Sequence, residues 1–121
     1  MRWAIFLTCY SVHTDPMNQW AEATDYGFDY VMGYKNTSAD SHLTDEVASD
    51  WADEAIGDGD SFKSAWFYAV EDWWIDDTGG VVASGTTTAS ANSRRDNLNK
   101  NTARRPANEY HGYMSWSYHE G

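Results

Sequence analysis

Trp3-Ala4-Ile5-Phe6-Leu7-Thr8-Cys9 and Phe28-Asp29-Tyr30-Val31-Met32-Gly33-Tyr34 are the two stretches from which the architecture follows. The first is an apolar run of buried-strand length, with Cys9 at its carboxyl end. The second has the β-branched and aromatic bias of a strand. Between them Pro16 opens a helix behind Thr14 or Asp15, both fair N-caps. Met17, Trp20, Ala21 and Thr24 share one face at helical spacing, and Gly27 ends the element. Strand, helix and strand in this order predict a parallel pair joined by a right-handed crossover.

Further along, Asn36 to Ser41 is turn chemistry. Leu43, Val47, Trp51 and Ala55 then recur every four residues, while Asp45, Glu46, Asp50, Asp53 and Glu54 occupy the opposite face. That pattern predicts an amphipathic helix with a solvated acidic side. Gly57-Asp58-Gly59 stops it, and Asp60 or Ser61 caps a second helix whose stripe is Phe62, Ala65, Trp66, Ala69, Val70 and Trp73. Val81 to Ser84 reads as a third short strand. The expectation is an α/β fold: a small, mostly parallel sheet with helices on both faces, of three-layer α/β/α type. So small a sheet leaves an apolar edge beside the first strand. Three segments are expected: an α/β unit over residues 1–86, a polar and disordered linker over 87–109, and an aromatic tail over 110–121, packed back or loose.

Composition excludes several classes. The 121 residues are 41% hydrophobic and 16% aromatic, with nine glycines and two prolines, so neither a collagen-like nor a wholly disordered chain fits. No apolar run approaches the roughly 20 residues of a membrane helix, and no leader pattern opens the sequence. One cysteine excludes an internal disulfide framework and a four-cysteine zinc site. Nineteen acids against eight bases give a net charge of −11. The charge is uneven: residues 1–90 hold 16 acids and 3 bases, residues 91–121 hold 3 acids and 5 bases. Such a surface repels nucleic acid and anionic membrane. Its richness in Asp and poverty in Lys fit either salt adaptation, where salt screens self-repulsion, or a merely acidic protein.

The candidate chemistry centres on Cys9. Open α/β sheets place their sites beyond the carboxyl ends of parallel strands. A thiolate there needs a base or a positive dipole. The helix beginning near Pro16 offers a dipole, His13 is four residues away, and His111-Gly112 is a second candidate base. The bland alternative makes Cys9 a small buried hydrophobe. His13 with Asp15, or Asp40 with His42 and Asp45, would make at most a weak surface metal site, and no metal or cofactor is expected. Asp58-Gly59-Asp60-Ser61 has the flavour of a calcium loop but lacks its distal glutamate, so it reads as helix stop and cap. Adjacent acids such as Glu71-Asp72 read as surface charge. Of seven tryptophans, Trp51, Trp66 and Trp73 fall on helix stripes, whereas Trp74 lies off them. Arg94-Arg95 and Arg104-Arg105 carry no nucleic-acid motif.

Arg2-Trp3, Cys9-Tyr10-Ser11, Val31-Met32-Gly33-Tyr34 and Ala65-Trp66 together resemble an uncharacterised prokaryotic family, a domain of unknown function. That family is itself similar to the carboxyl-proximal half of caspase-like cysteine peptidases, the group of caspases, gingipains and legumains. The resemblance spans about residues 2–84. It implies a three-layer α/β/α sandwich with Cys9 as nucleophile and a histidine before a glycine at the end of the strand preceding the cysteine strand. That histidine would have to precede Met1, whereas the sole His-Gly here, His111-Gly112, follows the cysteine. The expected protein is therefore the back half of a longer cysteine peptidase or a copy inactive as an isolated chain, with a peptide or protein as substrate. The rival expectation is a non-catalytic module that pairs with a partner or with itself through an exposed sheet edge. A third is a stand-alone hydrolase using His13 or His111. Compartment is left open.

Overall fold

The computed structural model describes residues 3–5, 12, 19–20, 24, 29–35, 42–72, 78–102 and 109–120. The chain is α/β, as its strand and helix signals require. In order it forms β1 (Trp3–Ile5), β2 (Tyr30–Tyr34), α1 (His42–Ala52) running into a π-helical turn (Asp53–Gly57), α2 (Phe62–Asp72), β3 (Thr78–Gly85), α3 (Thr88–Asn97) and β4 (Tyr113–Glu120). The four strands make one sheet in the order β1-β2-β3-β4. No helix among the described residues is long and apolar enough to cross a membrane.

The sheet is mixed, which corrects the expectation of a mostly parallel one. β1 and β2 are parallel, Trp3 pairing Tyr30 and Ile5 pairing Met32. β2 and β3 are antiparallel, with Tyr34 opposite Gly79 and Tyr30 opposite Ala83. The reason is the number of helices between them. One helix returns the chain to the end where a strand began; two bring it back to where the strand finished, so β3 must run the other way. β4 lies antiparallel along all of β3, from Gly85 opposite Tyr113 to Thr78 opposite Glu120.

Alternation of side chains across the strands divides the interior in two. On one face Tyr30, Met32, Tyr34, Val81 and Ala83 meet Val47, Trp51 and Ala55 from the first helical segment and Phe62, Trp66, Ala69 and Val70 from α2. Burying one such phenylalanine contributes about 3 kcal/mol. Trp66 has no exposed surface, and its indole N–H donates to the Gly33 carbonyl at 3.0 Å. Trp3 packs on Trp51 and Phe62 with ring centres 4.9 and 5.4 Å apart, so α1 sits toward the β1 side. On the other face Val12, Val31 and Val82 are buried, with Trp20, Met114 and Tyr118 against them. Trp20 and Thr24 are helical, the Thr24 hydroxyl donating to the Trp20 carbonyl, so the second face also has helical cover. The rest of the expected helix from Pro16 to Gly27 lies outside the described residues.

One expectation about the carboxyl-terminal third needs correction. The segment 87–109, read as a disordered linker, contains α3. Thr87 caps it, its hydroxyl accepting from the Ser90 N–H at 3.0 Å. α3 lies on the first face beside α2. The Tyr30 hydroxyl donates to the Arg95 carbonyl at 2.6 Å, and Lys63 of α2 reaches Asp96 at 2.7 Å. Arg95 and Asn92 both hydrogen-bond the Ser115 hydroxyl of β4. The contact between α3 and β3 is close: a Cβ on Gly85 would stand 2.5 Å from the Ala91 nitrogen. The aromatic tail, expected either packed back or loose, is packed back, its residues Tyr113–Glu120 forming the edge strand β4.

Candidate functional site

The strongest polar cluster among the described residues gathers where β2 begins and β3 ends. Asp29 precedes β2, Ser84 is the penultimate residue of β3, Arg94 comes from α3, and Glu109 and His111 lead into β4. Their backbones are joined as well, the Ser84 N–H donating to the Asp29 carbonyl at 3.1 Å. Asp29 and Ser84 have no exposed surface and His111 almost none. The Ser84 hydroxyl and His111 Nδ1 are 2.7 Å apart, and His111 Nε2 lies 2.7 Å from Glu109 Oε1. A carboxylate can only accept, so His111 Nε2 donates to Glu109, while Nδ1 shares a hydrogen bond with the Ser84 hydroxyl. Arg94 donates to the Ser84 carbonyl at 2.9 Å and pairs with Asp29 at 3.1 Å.

A hydroxyl, an imidazole and a carboxylate in series resemble an acyl-transfer relay. Accessibility decides against that chemistry here. A nucleophile must meet a substrate carbonyl at near contact, and Ser84 has no exposed surface. What the cluster does is fasten four chain segments together, its buried charges matched by partners as burial demands.

The sequence-predicted residues separate into those described and those not. Cys9 and His13 lie outside the described residues, as do Asp15, Asp40, Trp73, Trp74, Arg104 and Arg105. His42 opens α1. His111 belongs to the buried cluster. The nearest described neighbours of Cys9 in sequence are Ile5 and Val12. Ile5 pairs with Met32, and the Val12 N–H donates to the Tyr34 carbonyl at 2.9 Å. Ile5, the last residue of β1, thus lies opposite the middle of β2 and Val12 lies at its carboxyl end, whereas His111 sits beside Asp29, before its amino end. β2 spans five residues, about 16 Å at strand rise.

Two further features complete the surface. Glu54, Asp58 and Asp60 hold carboxylate oxygens within 4.8 Å of one another around the turn between α1 and α2. A hydrogen bond with Asp60, a small burial penalty and nearby acids raise the Glu54 pKa above its ordinary value. The turn is local capping chemistry: Gly59 has φ +78° and the Ser61 hydroxyl accepts from the Ser64 N–H. The other feature is the outer side of β4, which has no strand partner among the described residues. Eight residues long, it pairs with β3 without a bulge and contains neither proline nor lysine. Tyr113 and Trp116 on it are exposed, as is Tyr110 just before it.

Sequence reasoning passed over Ser84, Asp29 and Glu109, and met Arg94 only as half of a basic pair. Asp29 gave one readable signal, an acid inside an otherwise apolar strand segment, the type of buried polar residue that demands a partner. Nothing local marked the others, which meet only through the sheet.

No family model matches this chain, and no curated protein or solved structure shows significant similarity to it. The fold and its buried cluster thus define a small α/β domain built on a mixed four-stranded sheet.

Proposed function

We propose that this chain is a non-catalytic interaction module on a caspase-like α/β scaffold, and that it takes up an extended segment by strand addition along β4. The observation that carries this reading is the open side of β4: eight residues in even register, without the proline, lysine or bulge that proteins use to blunt a sheet edge. Strand addition takes its affinity from main-chain hydrogen bonds and its selectivity from alternate side chains. Trp116 and Tyr113 stand on opposite sides of that edge and would grip such a segment from both faces. The other edge offers less among the described residues, where β1 spans Trp3–Ile5 and Trp3 is engaged by Trp51 and Phe62.

Absence of catalysis is supported by His111, whose ring nitrogens are both engaged inside the buried cluster. The test is an NMR titration of the full chain with extended eight-residue peptides that alternate aromatic residues and serine, its own Tyr113–Glu120 sequence among them. Shifts confined to β4 and the strand beside it are expected. No response of β4 at millimolar peptide would end the proposal.

A cysteine-peptidase-like reading keeps one observation in its favour. Either side of Cys9 in sequence, Ile5 is the last residue of β1 and Val12 lies at the carboxyl end of β2, the end of a parallel pair where α/β enzymes place their chemistry. Iodoacetamide labelling across pH checks it. An activated Cys9 reacts well below the free-thiol pKa of about 8.5; a Cys9 that titrates there, or stays inert, is no nucleophile.

A further inference from the structure

We infer that the segment β4 takes up is β4 of a second copy of this chain, in a twofold antiparallel pair centred on Trp116. This rests on the strand-addition reading and names its partner.

Charge selects the occupant first. Residues 1–90 hold 16 acids against 3 bases, so two copies repel across most of their surface. From Tyr110 to Gly121 the only acid is Glu120 and there is no lysine or arginine. The sheet order puts β4 at the edge opposite β1, the side on which acidic α1 packs through Trp51. α3, with Arg94 and Arg95, lies against β4 instead. Contact through β4 therefore keeps the acidic faces of α1 apart, while Glu71 of α2, 3.2 Å from His119, is an acid that reaches the strand.

Side-chain pattern fixes the register. Met114, Trp116 and Tyr118 face one side of the sheet; Tyr113, Ser115, Ser117 and His119 face the other. In a twofold antiparallel pair, facing residues point to the same side and their numbers sum to a constant even value. Centring on Trp116 sets Trp116 against its own copy and Met114 against Tyr118, an aromatic and thioether cluster. On the opposite face Ser115 meets Ser117 and Tyr113 meets His119. Centring on Ser117 would instead set Met114 against Glu120. An isologous contact of this kind closes at two copies and joins both sheets into one of eight strands. Eight residues of edge cover about 27 Å at strand rise. A single strand edge is a narrow strip beside the roughly 1,600 Å² of a standard interface, so a dissociation constant in the micromolar range is expected.

The experiment combines sedimentation with site-directed crosslinking on the full chain in a Cys9→Ser background. Sedimentation from 1 µM to 1 mM, in low and molar NaCl, should show a monomer–dimer equilibrium that tightens at least about tenfold with salt as repulsion is screened. Trp116→Lys should abolish the dimer, while Tyr68→Lys, at an exposed aromatic on α2, should leave it intact. Under mild oxidation Trp116→Cys should crosslink to its own copy, the facing Cα atoms being about 5 Å apart. Tyr113→Cys should not, because its copy lies six residues of strand away. Crosslinking at position 113 in place of 116 overturns the register and with it the proposal. A monomer under all conditions whose β4 still responds to added peptide overturns the second copy and leaves strand addition standing. A monomer with an unresponsive β4 overturns both.

Discussion

Replacing Gly85 with alanine probes the contact on which the carboxyl-terminal third depends. The added methyl would meet the Ala91 nitrogen at 2.5 Å, the Ala91 Cα at 2.9 Å and the Ser90 carbonyl carbon at 2.9 Å. All three are backbone atoms of α3, so no rotamer change relieves the clash. Either α3 shifts as a body or β3 bends. Overpacking of a close-packed site costs about 1–3 kcal/mol, and a backbone clash belongs at the upper end. A shifted α3 also strains its Thr87 cap and the Arg94 bond to the Ser84 carbonyl. The expected loss is about 3 kcal/mol, or roughly 12 °C in Tm for a chain of this size. Urea unfolding should show a lower midpoint at unchanged slope. Gly57→Ala is the control: nothing lies within 4 Å of its added methyl, and stability should hold or rise by about 0.5 kcal/mol. A Gly85→Ala variant within about 0.5 kcal/mol of the parent, the usual scatter of an innocuous surface change, would refute the docking of α3 on β3.

Three other outcomes follow from the same contacts. Tyr30 is pushed above its ordinary pKa by burial and by Asp96, so its neutral form is favoured in the fold; that stability is complete below the free value of about 10 and declines as pH rises past it. Tyr30→Phe should cost about 1–2 kcal/mol at pH 7, through the lost bond to the Arg95 carbonyl, and the gap should narrow in alkaline unfolding curves. Asp96 is held well below the usual carboxylate range by hydrogen bonds from Arg95 and then Lys63, so its contribution is present above about pH 3.9 and fades as pH falls further. Because the group is partly exposed, Asp96→Asn should cost less than about 1 kcal/mol at pH 7 and should flatten the acid limb of a Tm-versus-pH series. The charge of −11 sets the third: Tm should climb between low and molar salt, and a flat profile would make the acidic bias incidental.

The stripes of the two central helices were legible because their period is local. Val47, Trp51 and Ala55, then Phe62, Trp66, Ala69 and Val70, announce a buried face at helical spacing, and that is the face the sheet receives. The strand over Tyr30–Tyr34 was legible for the same reason. α3 was not, because so little of it is apolar. Ala91, with Leu98 just beyond the helix end, is what it buries, and it is held by a cap, by Arg95 and Asn92 on Ser115, and by Lys63 on Asp96. Such polar ties form only once β4 and α2 are in place, so a window of sequence reads them as linker. β4 did carry a period-two signal, Met114, Trp116 and Tyr118 alternating with serines, but its short length and position after a polar stretch disguised it as a tail. The direction of β3 depended on counting helices rather than on β3 itself. The candidate site divided similarly: Cys9 was singled out by its place after an apolar strand, whereas the Asp29–Ser84–His111 cluster joins residues that are remote in sequence.

Residue-resolved hydrogen exchange along Tyr113–Glu120, on protein dilute enough to be monomeric, tests the central claim that β4 is an ordered strand with one side open. Amides bonded to β3 should be protected and those between them should exchange fast, giving a strict alternation. Uniformly fast exchange would mean that β4 is not in the sheet, and uniform protection would mean that its outer side is already covered; either pattern contradicts the account.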